Sequence, residues 1–319
     1  MTEFLKIESS GLTAAVSPIG AALARLWLKG HETSLILGFE RPKDYVNAPG
    51  AIGVIIAPIA GRIASASAPL GERVLKLDAN APPDTLHGGR DGAQHKEWQV
   101  IAHHANAITL RMDMADDVCG LPGNRRFDVT YRVEGSTLDI DVESTSDADT
   151  FVNVTSHAYW VLDDSGGLQD HILHLPTTRM LEASAALIPT GKILDVTGGD
   201  FDFSNGGNPV VGPDLDGCFC LRERSCETLQ PVLSLRSRVS GIKLDVTSTE
   251  PGVILYTGSG LSARSNPAKT PKIGPLSGLA IEAQKWPDAP NHLNFPSIML
   301  HSGDRMRQMT RFFLSRSQC

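Results

Sequence analysis

The 319-residue sequence predicts an all-β fold, a large antiparallel β-sandwich, and three observations carry that expectation. Apolar residues recur at every second position in several separate stretches, which places one face of each on a core and the other toward water. Thirty glycines and twenty prolines gather between those stretches, as turns between many strands require. Convincing helical spacing of apolar residues is nearly absent.

Taken along the chain, "GAALARLWLKG" (20–30) is the one segment open to either reading. Its glycine flanks and the alternation of Leu26 and Leu28 compete with a helical pattern. In "AITLRMDM", Ile108, Leu110, Met112 and Met114 alternate with polar residues or threonine. "RFDVTYRVEG" repeats the pattern with Phe127, Val129, Tyr131 and Val133. "TLDIDVES" and "GIKLDVTS" do so with Leu138, Ile140 and Val142, and with Ile242, Leu244 and Val246. No strand–helix–strand unit with a glycine fingerprint occurs, which excludes a parallel nucleotide-binding sheet. The pattern runs from end to end without repeat or low-complexity linker, so residues 1–319 are expected to form one domain.

The bulk composition narrows the partners. The apolar fraction is 41%, the charged fraction 20% and the net charge −7, the profile of a soluble globular protein without a broad basic face for nucleic acid. No apolar run is long enough to span a membrane, and the opening "MTEFLKIESSGL" has no signal-peptide core. The five cysteines (Cys119, Cys218, Cys220, Cys226, Cys319) show no zinc spacing, and reduced thiols in a cytoplasmic protein are expected.

Titratable residues in apolar or glycine-rich surroundings mark the candidate chemistry. Glu282 sits among Gly278, Leu279, Ala280, Ile281 and Ala283 and is followed by Pro287, Pro290 and Pro296. A carboxylate buried there needs a partner or a raised pKa. The residues leave open an ion pair with Arg62 or Lys285 or a general base poised near neutral pH. His157 lies beside Tyr159 and Trp160, either as a core histidine or at a sugar site, since pyranose faces stack on aromatic rings. His87 precedes Gly88 and Gly89, which allow a sharp turn or a close approach to a ligand. Arg62 stands between apolar neighbours, and Asp214 and Asp216 precede an apolar strand. No serine nucleophile elbow, P-loop or zinc-protease motif is present.

In order, "TLHGG", "NVTSHAYWVL", "DDSGGLQDHILHL", "LIPTGKILDVTGGDFDF", "LDGCFCL", "VTSTEPGVILYTGSGL" and "IEAQKWPDAPNHLNFPS" resemble the aldose 1-epimerase (galactose mutarotase) family from about Gly50 onward. The resemblance implies a sandwich with a monosaccharide in an open cleft on one sheet and interconversion of α and β anomers, without metal or cofactor. It implies Glu282 as the base on the anomeric hydroxyl and His157 as the acid on the ring oxygen, the two on opposite sides of that centre. His87 would hydrogen-bond near the ring oxygen, and Arg62 and Asp216 would bind hydroxyls. Nearby carboxylates are expected to raise the His157 pKa. The sequence departs from the family at Gly61, Ser156 and Trp160, which puts the altered rim, and hence substrate preference, in question. Two alternatives stand beside this reading. One is a hexose-phosphate 1-epimerase using Arg90, Lys96, Arg125 or Arg126, and the other a non-catalytic sugar-binding protein. A monomer or homodimer fits either.

Overall fold

The computed structural model describes residues 3–46, 48–264 and 270–316; Cys319 lies outside them. The four alternating stretches all become strands, Ala107–Met114, Arg125–Glu134, Thr137–Ser146 and Ile242–Ser248. Together they form half of an eight-stranded antiparallel sheet. Its order is His171–His174, Gln230–Ser237, Ile242–Ser248, Arg305–Arg316, Thr137–Ser146, Arg125–Glu134, Ala107–Met114, Gln99–His103. The apolar half of each stretch is buried: Phe127, Val129, Tyr131 and Val133 are all without exposure. The other half faces out and pairs across strands, as in Arg311–Asp139 at 2.7 Å and Arg111–Asp128 at 2.6 Å. Surface pairs of this kind add little stability each, but they keep both faces of the sheet consistent with one register. Gly135, at φ +53°, supplies the left-handed residue that the two-residue turn before Thr137 demands.

A second sheet of six strands packs over the first, ordered Tyr159–Trp160, Leu279–Gln284, Gly252–Tyr256, Asp216–Cys220, Arg179–Ala183, Pro189–Asp195. Trp160 from this sheet stacks on Phe312 of the other at 4.7 Å between ring centres, one of the contacts that fasten the layers together. The undecided segment near the N-terminus is a strand, Ala22–Leu28, in a three-stranded sheet with Leu5–Glu8 and Leu12–Ser17. Almost every residue in it is buried, so both faces have something to pack against and alternation in the sequence is blurred.

Candidate active site

The strand Leu279–Gln284 is buried along its whole length, as the sequence around Glu282 foretells. Register decides which face each residue takes. Glu282 lies opposite Ile254, Ala280 opposite Tyr256, and Asp216 opposite Tyr256 on the far side, so all of these share the outer face of the six-stranded sheet. Above this face opens a cleft of about 300 Å³, whose lining includes Arg62, His87, His157, Asp216 and Glu282. The five residues to which the resemblance gives a role therefore meet in one cavity, though they come from five separate stretches of chain.

His157 is fixed by its backbone at both ends: its N–H donates to Val54 O at 2.9 Å and its C=O accepts from Gly53 N at 2.9 Å. Nε2 of the ring lies 3.3 Å from Glu282 Oε1, and both residues are almost wholly buried. The imidazole and the carboxyl thus stand side by side on one floor of the cleft. Burial drives the two groups apart in proton affinity. It lowers His157 from its ordinary value to about 4, and it pushes Glu282 well up, with the Asp216 charge adding to the effect. The expectation that carboxylates raise the histidine is not met: desolvation of the imidazolium is the largest influence, and only a backbone hydrogen bond opposes it. Both shifts favour a proton on the carboxyl over one on the imidazole. Oε2 of Glu282 is buried and has no protein hydrogen-bond partner.

Among the described residues no lysine or arginine forms an ion pair with Glu282. Lys285 Nζ turns to Met306 Sδ at 3.1 Å, and its charge neighbour is Glu250. Arg62 forms no ion pair within 4 Å among the described residues, and it lies close enough to Asp216 to oppose the upward push of burial there. Its backbone is clamped by Asp288, whose N–H donates to Arg62 O at 3.0 Å while Oδ1 accepts from Ala64 N at 3.0 Å. The prolines after Glu282 now have a reason. Pro287 lines the cleft, and Pro290 lies in the short helix Ala289–Asn291 that follows Asp288.

His87 sits in a left-handed turn with Gly88 and Gly89, at φ +52°, +74° and +87°. A Cβ at Gly88 would come within 2.8 Å of Pro58 Cδ, so the glycine serves close packing. The His87 N–H donates to Gly61 O at 2.9 Å, and its Nδ1 accepts from Gly61 N at 3.2 Å. Burial, and then the neighbouring His157 ring 5.5 Å away, hold His87 far below its ordinary pKa. In a neutral ring whose Nδ1 accepts, the proton is on Nε2, so His87 has a hydrogen-bond donor to offer a ligand.

Of the three departures in sequence, only Gly61 lies in the cleft. Its φ is +81°, and a Cβ there would meet Pro287 Cβ at 2.8 Å, so backbone and packing both favour glycine. Trp160 points the other way, into the layer between the sheets. Ser156 lines a small void there with Ile140, Ile281 and Phe312. Neither forms the rim, contrary to expectation. Asp214 is exposed and outside the cleft. Residues the sequence reading did not assign to the site also line it, chiefly Tyr159, Leu187, Tyr256 and Pro287. Tyr256 could not be placed without knowing that its strand pairs with the one carrying Glu282.

An imidazole and a carboxyl in contact at the bottom of a cleft edged by two tyrosines and an arginine thus stand on one sheet of a β-sandwich, an arrangement suited to moving protons on a small polar ligand. Comparison with known proteins agrees: the aldose 1-epimerase family signature matches residues 3–312. A galactose mutarotase of Sus scrofa is 31% identical, covering 98% of this chain and 94% of the relative. A maltose epimerase of Levilactobacillus brevis is 28% identical over 94% of this chain and 91% of its own. The crystal structure of an aldose epimerase homologue from C. elegans superposes with a TM-score of 0.92 at 29% identity, covering all of both chains. The chain belongs to the aldose 1-epimerase family, a family of isomerases.

Proposed function

We propose that the cleft binds a free aldose in its pyranose form, hexose or pentose, and that Glu282 and His157 interconvert its α and β anomers. O1 and O5 of a pyranose are both bonded to C1, so two groups that serve them must be neighbours, and the 3.3 Å contact supplies that. With the shared proton on His157, the carboxylate of Glu282 takes the O1 proton while the imidazolium gives its proton to O5. The C1–O5 bond breaks, and the aldehyde forms at C1. Rotation about C1–C2 presents the other carbonyl face, and the same two transfers run backwards to close the ring. Each positioned group contributes roughly 10²–10⁴-fold. His87 donates from Nε2 near the ring oxygen, while Arg62 and Asp216 hold hydroxyls.

The contact between two buried, oppositely perturbed groups carries this reading, because a merely sugar-binding protein gains nothing from it. A phosphorylated substrate draws no support. Arg90 and Lys96 are paired with Asp78 and Asp91, Arg126 with Asp113, and Arg125 is buried against the carbonyls of Ala115 and Val118. We read the chain as one domain, a reading supported by a core that draws on every sheet among the described residues. Among the described residues no helix is long and apolar enough to cross a membrane. We place the enzyme in the cytoplasm, as monomer or homodimer. Glu282→Gln tests the reading: polarimetric mutarotation of freshly dissolved α-D-galactose is expected to vanish while binding by calorimetry persists. A rate near that of the unaltered enzyme would disprove the base.

A further inference from the structure

Between the strands Arg179–Ala183 and Pro189–Asp195 the chain turns through Ser184, Ala185, Ala186 and Leu187. Leu187 N–H donates to Ser184 O at 2.9 Å, and Ser184 N–H to Ile188 O at 2.8 Å. This is a short hairpin loop whose last residue must be left-handed, a position that glycine fills at least cost. Here it is leucine, at φ +61°. The side chain is 37% exposed, and it lines the cleft. A left-handed leucine and an apolar group left in water are both unfavourable in the free protein.

The position of the tip is set by register. Met180 pairs with Phe219, so the hairpin's first strand lies beside the one that carries Asp216, and Leu187 and Asp216 line the same cleft. The turn that follows therefore stands at the Asp216 end of the cleft. It is also braced from outside, because Asn294 Nδ2 donates to Gly191 O at 3.0 Å. The tip is thus anchored to the same segment, Asp288 to Asn294, that clamps Arg62.

We propose that Leu187 is a specificity-determining lip. Its isobutyl group packs on the apolar C–H face of the bound sugar and keeps water from the hydroxyl held by Asp216. That hydroxyl is taken as the one on C2, so bulk in its place, such as the acetamido group of an N-acetylhexosamine, meets the lip and is refused. The inference rests on the reading of the cleft given above, and it adds a residue that touches the substrate without moving a proton.

Leu187→Gly and Leu187→Ala, with Glu282→Gln measured beside them, test the lip by polarimetry on α-D-galactose and α-D-glucose and by thermal unfolding. Both Leu187 variants are expected to lose about 10-fold in kcat/KM, mostly through KM, as for loss of one apolar contact to the substrate. In the glycine variant relief of the left-handed strain offsets the added chain entropy, so its Tm stays within about 2 °C of the parent or rises. N-acetylhexosamines should gain relative to the parent sugars in both variants. Unchanged kcat/KM in both, or losses that follow a falling Tm, would overturn the lip while leaving the site intact if Glu282→Gln is inactive. An active Glu282→Gln would remove the reading of the site, and the lip with it.

Discussion

The proton affinity of His157 yields a pH profile unlike that of an ordinary histidine enzyme. An exposed imidazole titrates near pH 6.5, and burial lowers His157 to about 4. The difference corresponds to about 3 kcal/mol of preference for the neutral ring. On the proposed mechanism, catalysis needs the Glu282–His157 pair to hold one proton. Adding a second proton to the pair therefore sets the acid limb of kcat/KM, at a value that belongs to the pair as a whole. That limb is expected nearer pH 4 than 6.5, with the rate at pH 5.5 within about twofold of the rate at pH 7. The alkaline limb marks loss of the last proton. It lies above the ordinary carboxylate range, because burial raises Glu282. The same shift bears on stability. The unfolded chain takes a proton on His157 below about pH 6.5 and the folded one refuses it. This contribution is present above pH 6.5 and is lost as the pH falls toward 4. Initial polarimetric rates in buffers from pH 4 to 9, with binding followed separately, measure the profile. An acid limb at about 6.5 would refute the reasoning, since burial would then not control the ring.

Two further outcomes follow from the site's supports. Asp288→Ala removes the acceptor of the Ala64 N–H, so the Arg62 loop loosens; KM is expected to rise about 10-fold with kcat changed less, at a cost of about 1–3 kcal/mol of stability for the orphaned donor. Trp160→Phe, in the layer between the sheets, should lower Tm by loss of packing on Phe312 while leaving the relative rates on galactose, glucose and xylose unaltered.

The fold was legible because a sheet with one wet face writes its period into the sequence. Phe127 to Val133 and Ile242 to Val246 alternate cleanly for that reason. The strand at Ala22–Leu28 was not legible, since burial on both faces erases the contrast. At the site, Glu282 stood out as a lone acid in an apolar run, and the glycines flagged His87. Which of their neighbours reach the cleft depends on pairing between strands far apart in sequence. Tyr256 entered through its pairing with Ala280, and Leu187 through a hairpin bend whose unusual backbone no composition announces. The same dependence misled the reading of Trp160, which is adjacent to a cleft residue in sequence and so, in a strand, on the opposite face.

The proton states also resisted reading from sequence. Neighbouring charge is visible in a motif, but desolvation is a property of the assembled layers. Here desolvation is the larger influence on both His157 and Glu282. The proposed mechanism treats the two residues as one unit with a single mobile proton, and it depends on that.

The most direct test is kcat/KM for mutarotation by Glu282→Gln, His157→Ala and the double variant, set in one cycle. Each single variant is expected to lose at least about 10²-fold, and the double no more than about threefold beyond the worse single, because a proton relay broken at either end is already broken. Losses that multiply, or a single variant that keeps its rate, would show that the carboxyl and the imidazole do not work as a pair.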